Sequence, residues 1–352
     1  MTDVVVCLVE LTVATSIGAL LVGLLRTALR GIAGARAAYG LWIMVPLSTL
    51  TVLLPTPPHP LAPVEMLPTL IEGSDSPNNQ ALAVGVWAAG VIVMLALAVA
   101  RQRAFVRSLG NLLRLPNGTY RSTSAIEPMV IGALRPRVVL PADFETRYTR
   151  DERALVLAHE HTHVKRGDAL INALATVWLC LSWFNPLMHW AIGWFRFDQE
   201  LACDAVVLAA TGTARRRYAD ALLKSQLAAE SVTAAVPAGC HWQSTHPLTQ
   251  RIAALKRPLP GVARRYFGTA LVLAFISTGC YAAWAVRPDL RPTGLDAAQT
   301  IPAQVRQALL TLPAAGELAL EPVGQLSQSS TPSRKNQPRR CKLARAKDRT
   351  TS

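Results

Sequence analysis

The chain has 352 residues, 51% of them hydrophobic and only 16% charged, with a mean hydropathy of +0.27. That composition excludes an ordinary water-soluble protein and points to an integral membrane protein. The net charge of +14 implies no nucleic-acid partner, because much of it lies in a C-terminal basic run and in arginines that flank apolar stretches.

Val4 to Leu25 is a near-continuous apolar run with one carboxylate, Glu10. A signal peptide is one reading, but no basic region precedes the run and no small-residue cleavage site follows it, which favours a first transmembrane helix. Arg26, Arg30 and Arg36 come next, then a shorter apolar run from Tyr39 to Leu54. Pro55 to Asn79 is proline-rich, carries Glu65, Glu72 and Asp75, and has no Lys or Arg. Ala81 to Ala100 is a third span, closed by Arg101, Arg103 and Arg107. The positive-inside rule then gives one orientation: N-terminus outside, arginine loop cytoplasmic, acidic loop outside, and everything after Ala100 cytoplasmic.

Within residues 101–265, Met129–Ile131 and Arg137–Leu140 read as short strands joined by a glycine-containing turn. One of them is expected to pair with extended substrate by strand addition, or simply to pack on the next helix. That helix is well marked. Thr149 and Glu152 have the spacing of a capping box, Asp151 and Glu152 suit the positive end of the helix dipole, and Gly167 follows Lys165 and Arg166 as a stop.

The helix carries His159-Glu160-His161-Thr162-His163, an H-E-x-x-H pattern. A separation of four puts His159 and His163 on one face, one turn apart, where both imidazoles can share one zinc ion. Glu160 sits beside them, placed to take a proton from a water. His161 points about 200° round the helix and reads as non-ligating. Zinc with an open position needs a third protein ligand. Glu200 is the candidate, with Asp204 four residues on and on the same face. Alone, this pair reads as a solvated acidic stripe; beside an intact H-E-x-x-H it reads as a ligand plus an acceptor for a histidine's free ring nitrogen. Cys203 lies off that face and reads as a small core residue. No cysteine pair stands at disulfide or metal spacing.

Ala169 to Phe195 contains no charged residue and is long enough to span a bilayer. A single crossing would put His159 and His163 on the opposite side from Glu200. Asn185-Pro186 breaks the run, so two helices in a hairpin are expected, either buried in the domain or dipping into the cytoplasmic leaflet. Tyr218 to Ala229 continues as helix and Thr233–Thr245 as loop. His246 and Arg251 are candidate stabilisers of the tetrahedral oxyanion, which spacing alone does not establish. Tyr266 to Val286 is a fourth span. Residues 287–352 read as a disordered outside tail, ending in a basic run from Arg334 to Arg349.

The decapeptide from His159 to Asp168, together with Trp183–Pro186 (W-F-N-P) and Glu200–Asp204 (E-L-A-C-D), resembles membrane metallopeptidases of the BlaR/MecR antirepressor type. Pro128–Pro141 and His246–Ile252 are similar to two further elements of that family, and the likeness runs from about Val4 to Val286. It implies a mostly α-helical integral membrane protein with four transmembrane helices. A cytoplasmic gluzincin-like zinc metalloprotease domain, residues 101–265, lies between spans three (ending at 100) and four (266–286). One Zn²⁺ would be held by His159, His163 and Glu200, with Glu160 as base. The substrate would be a cytoplasmic protein such as a transcriptional repressor; membrane lipid, self-association and no direct nucleic-acid contact complete the expected partners. The tail is too short and simple for the penicillin-binding sensor domain of well-known members, so β-lactam sensing does not carry over. A housekeeping membrane zinc protease and a non-catalytic transducer with structural zinc are the competing readings.

Overall fold

A computed structural model of the protein describes residues 2–55, 77–212, 215–233 and 248–285. His246, Cys240, Cys341, most of the acidic loop and the tail from 286 onward lie outside the described residues. The protein is mostly helical. Among the described residues, three helices are long and apolar enough to cross a membrane: α1 (Thr2–Ala33), α4 (Pro77–Ser108) and, last in order, α11 (Val262–Ala285). The expected second span is helical but broken. It consists of α2 (Ala35–Gly40), a 3-10 turn at Leu41–Ile43, and α3 (Met44–Thr51). Pro46 lies in the first turn of α3, where its missing N–H costs least.

Four short strands follow: β1 (Leu113–Arg114), β2 (Tyr120–Ser122), β3 (Met129–Ile131) and β4 (Arg137–Pro141). Their order across the sheet is β1-β2-β4-β3, so β4 is paired on both sides and β3 is an edge. A single helical turn, α5 (Phe144–Arg147), leads to α6 (Arg150–Arg166), the H-E-x-x-H helix. Thr149 and Glu152 form the capping box in both directions, and Gly167 ends the helix at φ 69°. Only a residue tolerant of left-handed geometry fits there.

The uncharged run becomes α7 (Asp168–Leu181) and the first part of α8 (Pro186–Thr211). Asn185 caps α8, its side-chain oxygen accepting from the Leu187 N–H at 3.0 Å, and Pro186 opens the helix where no N–H is needed. The chain therefore reverses, and Glu200 returns to the histidines. Helices α9 (Arg215–Thr233) and α10 (Leu248–Leu255) complete the elements between α4 and α11.

Two kinds of core result. Leu179, Met188 and Ala191 of the hairpin are buried in one cluster with Val22 of α1, Leu41, Trp42 and Val45 of the broken helix, and Val272 of α11. Separate clusters join β4, α5, α6 and α9 through Val138, Leu140, Phe144, Val156 and Ala221, and α6, α8, α9 and α10 through Leu155, Val207, Tyr218 and Leu255. The second set clamps α6 and α8 face to face.

Candidate metal centre

His159 and His163 project from α6 towards α8, and their rings meet edge to face with centroids 4.7 Å apart. Their Nε2 atoms are 3.1 Å from each other. Glu200, on α8, adds a carboxylate whose oxygens lie 3.3 Å from Nε2 of His159 and 3.5 Å from Nε2 of His163. The other ring nitrogens point outward to fixed partners. Nδ1 of His163 lies 2.7 Å from the Asp168 carboxylate. Nδ1 of His159 lies 2.7 Å from the Tyr218 hydroxyl, which itself donates to Asp204 at 2.7 Å.

These partners set the tautomers. A carboxylate only accepts, so His163 donates from Nδ1; the Tyr218 hydrogen is committed to Asp204, so its oxygen accepts from Nδ1 of His159. Both Nε2 atoms consequently bring lone pairs to one point, beside a carboxylate. Neutral rings alone would repel there, so the arrangement calls for a positive charge among the three groups. Ionisation tells the same story. Burial opposes charging His163, yet Glu200 and the bond to Asp168 lift it to about 10. Burial likewise opposes charging His159, which Tyr218, Cys203 and Asp204 still raise.

The donor set suits zinc. Ligand bonds of about 2.0–2.1 Å in tetrahedral array separate neighbouring donors by about 3.3–3.4 Å, which brackets well with the separations of 3.1, 3.3 and 3.5 Å. Cys203 is a competitor that spacing on α8 conceals. Fully buried, its sulfur lies within 4.8 Å of a ring nitrogen of each histidine. Its thiol lies 3.4 Å from the His159 carbonyl and also interacts with both imidazoles, while the Glu200 carboxylate lies 3.3 and 3.5 Å from the two Nε2 atoms.

Glu160 is 7% exposed. Burial, then the Glu200 charge, raise its carboxyl, with both histidines opposing. His161 is exposed, with Nδ1 against the Leu157 carbonyl, away from the cluster. Asp204 faces His159 chiefly through Tyr218, its own oxygen being 3.4 Å from the ring nitrogen. Arg251, on α10, forks onto Asp204 at 2.9 and 2.8 Å, and its Nη2 lies 3.4 Å from Glu200. Sequence reasoning missed Tyr218 and Asp168 as partners, although Asp168 closes the motif decapeptide. It also missed Glu127, half-buried just before β3, whose carboxyl burial and the Glu160 charge push up to about 7. β3 itself packs against α6 at the open edge of the sheet.

Residues 6–255 match the family described as BlaR1 peptidase M56. The chain is 36% identical over 88 residues to the regulatory protein BlaR1 of Bacillus licheniformis, covering 25% of this chain and 14% of that protein. It is 30% identical over 107 residues to the methicillin resistance mecR1 protein of Staphylococcus aureus (strain Mu50 / ATCC 700699), covering 30% of this chain and 18% of that one. Each alignment thus spans under a fifth of the relative's length. The family match takes in every residue of the cluster just described, and the chain belongs to the BlaR1 peptidase M56 family.

Proposed function

We propose that the protein is a membrane zinc endopeptidase, with His159, His163 and Glu200 holding one Zn²⁺ and Glu160 moving the proton. The observation that carries this reading is the convergence of two tautomer-fixed Nε2 lone pairs and one carboxylate on a single point. Zinc bound there supplies a Lewis acid that polarises the scissile carbonyl and makes a water acidic. Glu160, whose proton affinity burial raises, accepts a proton from the attacking water and delivers it to the departing amine. The edge of β3 offers backbone groups to an extended substrate; β4, paired on both sides, has none to offer. Arg251 is better read as a positioning residue, since Asp204 takes its Nε and Nη2. That leaves His246 as the oxyanion donor to test.

Contacts at the two ends of α11 support a four-span reading. Trp284, near the far end of α11, donates to the Pro55 carbonyl, while Arg264 at the near end donates to the carbonyls of Gly31 and Ile32. On this reading residues 33–55 cover the same thickness as α11 and make a fourth crossing, and the positive-inside rule puts the N-terminus outside and the metal site on the cytoplasmic side. The α7–α8 hairpin enters from the cytoplasmic side. By resemblance, the substrate is a cytoplasmic protein such as a transcriptional repressor, cut when a signal reaches the membrane helices.

The test compares wild type with Glu160→Gln, both purified in detergent, for bound zinc and for cleavage of self or of a candidate repressor. Zinc should stay and cleavage fall by about 10²–10⁴-fold. Undiminished cleavage by the variant would sink the mechanism.

A further inference from the structure

A cavity of about 450 Å³ opens between the last turns of α1, the Asp204 side of α8, the C-terminal half of α10 and the 257–260 turn that leads into α11. Three arginines line it: Arg30, Arg257 and Arg264. Arg36 and Arg265 line a smaller hollow that shares Gly34 and Pro260 with it. Anionic groups do not balance them. Arg30 is paired with Asp198, but Asp204, the carboxylate on the wall, is taken by the Arg251 fork. Arg264 commits its Nε and Nη2 to the carbonyls of Ile32 and Gly31. Arg257 is exposed and meets no carboxylate among the described residues. The segment leading into α10, residues 234–247, contains no Asp or Glu.

Position favours a lipid phosphate as the partner of this basic wall. The Arg264 bonds tie the start of α11 to the end of α1, so the cavity lies where two candidate spans leave the apolar layer together. Lipid phosphates occupy that level, and basic hollows between membrane helices on the cytoplasmic side suit anionic headgroups. Guanidinium forks match phosphate oxygens. The rest of the wall is largely apolar, with Leu201, Leu208, Leu259 and Pro258 among its residues, which suits a glycerol backbone and the first methylenes of acyl chains.

We infer that this cavity binds the phosphate of an anionic phospholipid, with Arg257 as its principal free cation. The inference rests on α1 and α11 being spans, not on the peptidase chemistry. Because α10 forms one wall and carries Arg251, a bound lipid would also brace the Arg251–Asp204 fork behind His159.

The experiment uses the full chain, delipidated in detergent and examined by native mass spectrometry with equimolar phosphatidylglycerol and phosphatidylcholine. Wild type should retain phosphatidylglycerol at least fivefold over phosphatidylcholine. Arg257→Gln should lose that preference, Arg257→Lys should keep part of it, and both should keep the wild-type thermal midpoint in detergent, which shows that they are folded. Equal retention of the two lipids, or an undiminished preference in Arg257→Gln, would overturn the inference. Displacement of the lipid by millimolar inorganic phosphate would also overturn it, by making the cavity a site for soluble phosphate. Loss of cleavage in Glu160→Gln bears on the peptidase reading alone and leaves this result untouched.

Discussion

His159 and His163 show how far one pair of side chains depends on groups that make no contact with the reacting bond. Asp168 fixes one ring and Tyr218 the other, and only then do both Nε2 atoms become donors to the same point. Removing the Tyr218 hydroxyl frees the His159 ring to rotate or change tautomer. Tyr218→Phe should therefore weaken zinc binding by about 10–100-fold in competition with a chelator, and unchanged affinity would show that Asp204 alone orients His159. The H-E-x-x-H pair, Glu160 and Glu200 were legible in the sequence because helical spacing places them. Tyr218 was not, since its hydroxyl reaches His159 across 59 positions of chain and no pattern marks it. Cys203 shows the limit of face arguments: two helices packed closely bring a residue off the ligand face within reach of the histidines.

Among the elements, α8 does the most. Read downward, it places Asn185 on Ser16, Trp194 on Gly23 and Asp198 on Arg26 and Arg30 of α1, then Glu200 and Asp204 at the metal centre. Asp198 is fully buried, accepts from both arginines and from the Trp42 indole at 2.9 Å, and stands two residues from Glu200. A movement of α1 along its axis would therefore pull on the helix that carries Glu200. Tyr39 of α2 makes a parallel link, donating to Asp168 at 3.4 Å behind His163. Breaking a buried pair leaves charge uncompensated, so Asp198→Ala should cost about 3–5 kcal/mol of stability, read as a lowered thermal midpoint in detergent. A midpoint equal to wild type would mean that this junction bears no load. The capping box, the glycine stop and the Asn185-Pro186 break were all readable from local chemistry. Strands β1 and β2 were not, because two or three residues are too few to show a period.

Over the whole molecule, the uncharged hairpin packs against both α1 and α4. Asn185 donates to Ser16 at 2.8 Å, and Trp87 of α4 donates to the Leu181 carbonyl at 3.0 Å. The Trp183 ring lies so close over Gly90 that a Cβ there would come within 2.3 Å of it. At ~1.5 Å per residue, Ser16 is about 15 Å of helix from Arg26, and Gly90 about 16 Å from Arg101, roughly half of a 30 Å hydrocarbon core. With α1 and α4 crossing the membrane as proposed, both contacts predict a hairpin tip at the same depth, near the bilayer centre. A spin label at Phe184→Cys, with the native cysteines replaced, should be accessible to oxygen and shielded from a water-soluble nickel reagent. Accessibility to the nickel reagent would place the tip in the cytoplasm. From composition, an uncharged run of this length fits a buried hairpin and a membrane hairpin equally; its partners on α1 and α4 favour the second.

The central claim is the identity of the metal's protein ligands, and X-ray absorption at the zinc edge of the purified protein addresses it most directly. With His159, His163 and Glu200 as ligands, the first shell should hold only nitrogen and oxygen at about 2.0–2.1 Å. A sulfur shell near 2.3 Å would put Cys203 in place of Glu200, and a preparation free of zinc would contradict the account at its root.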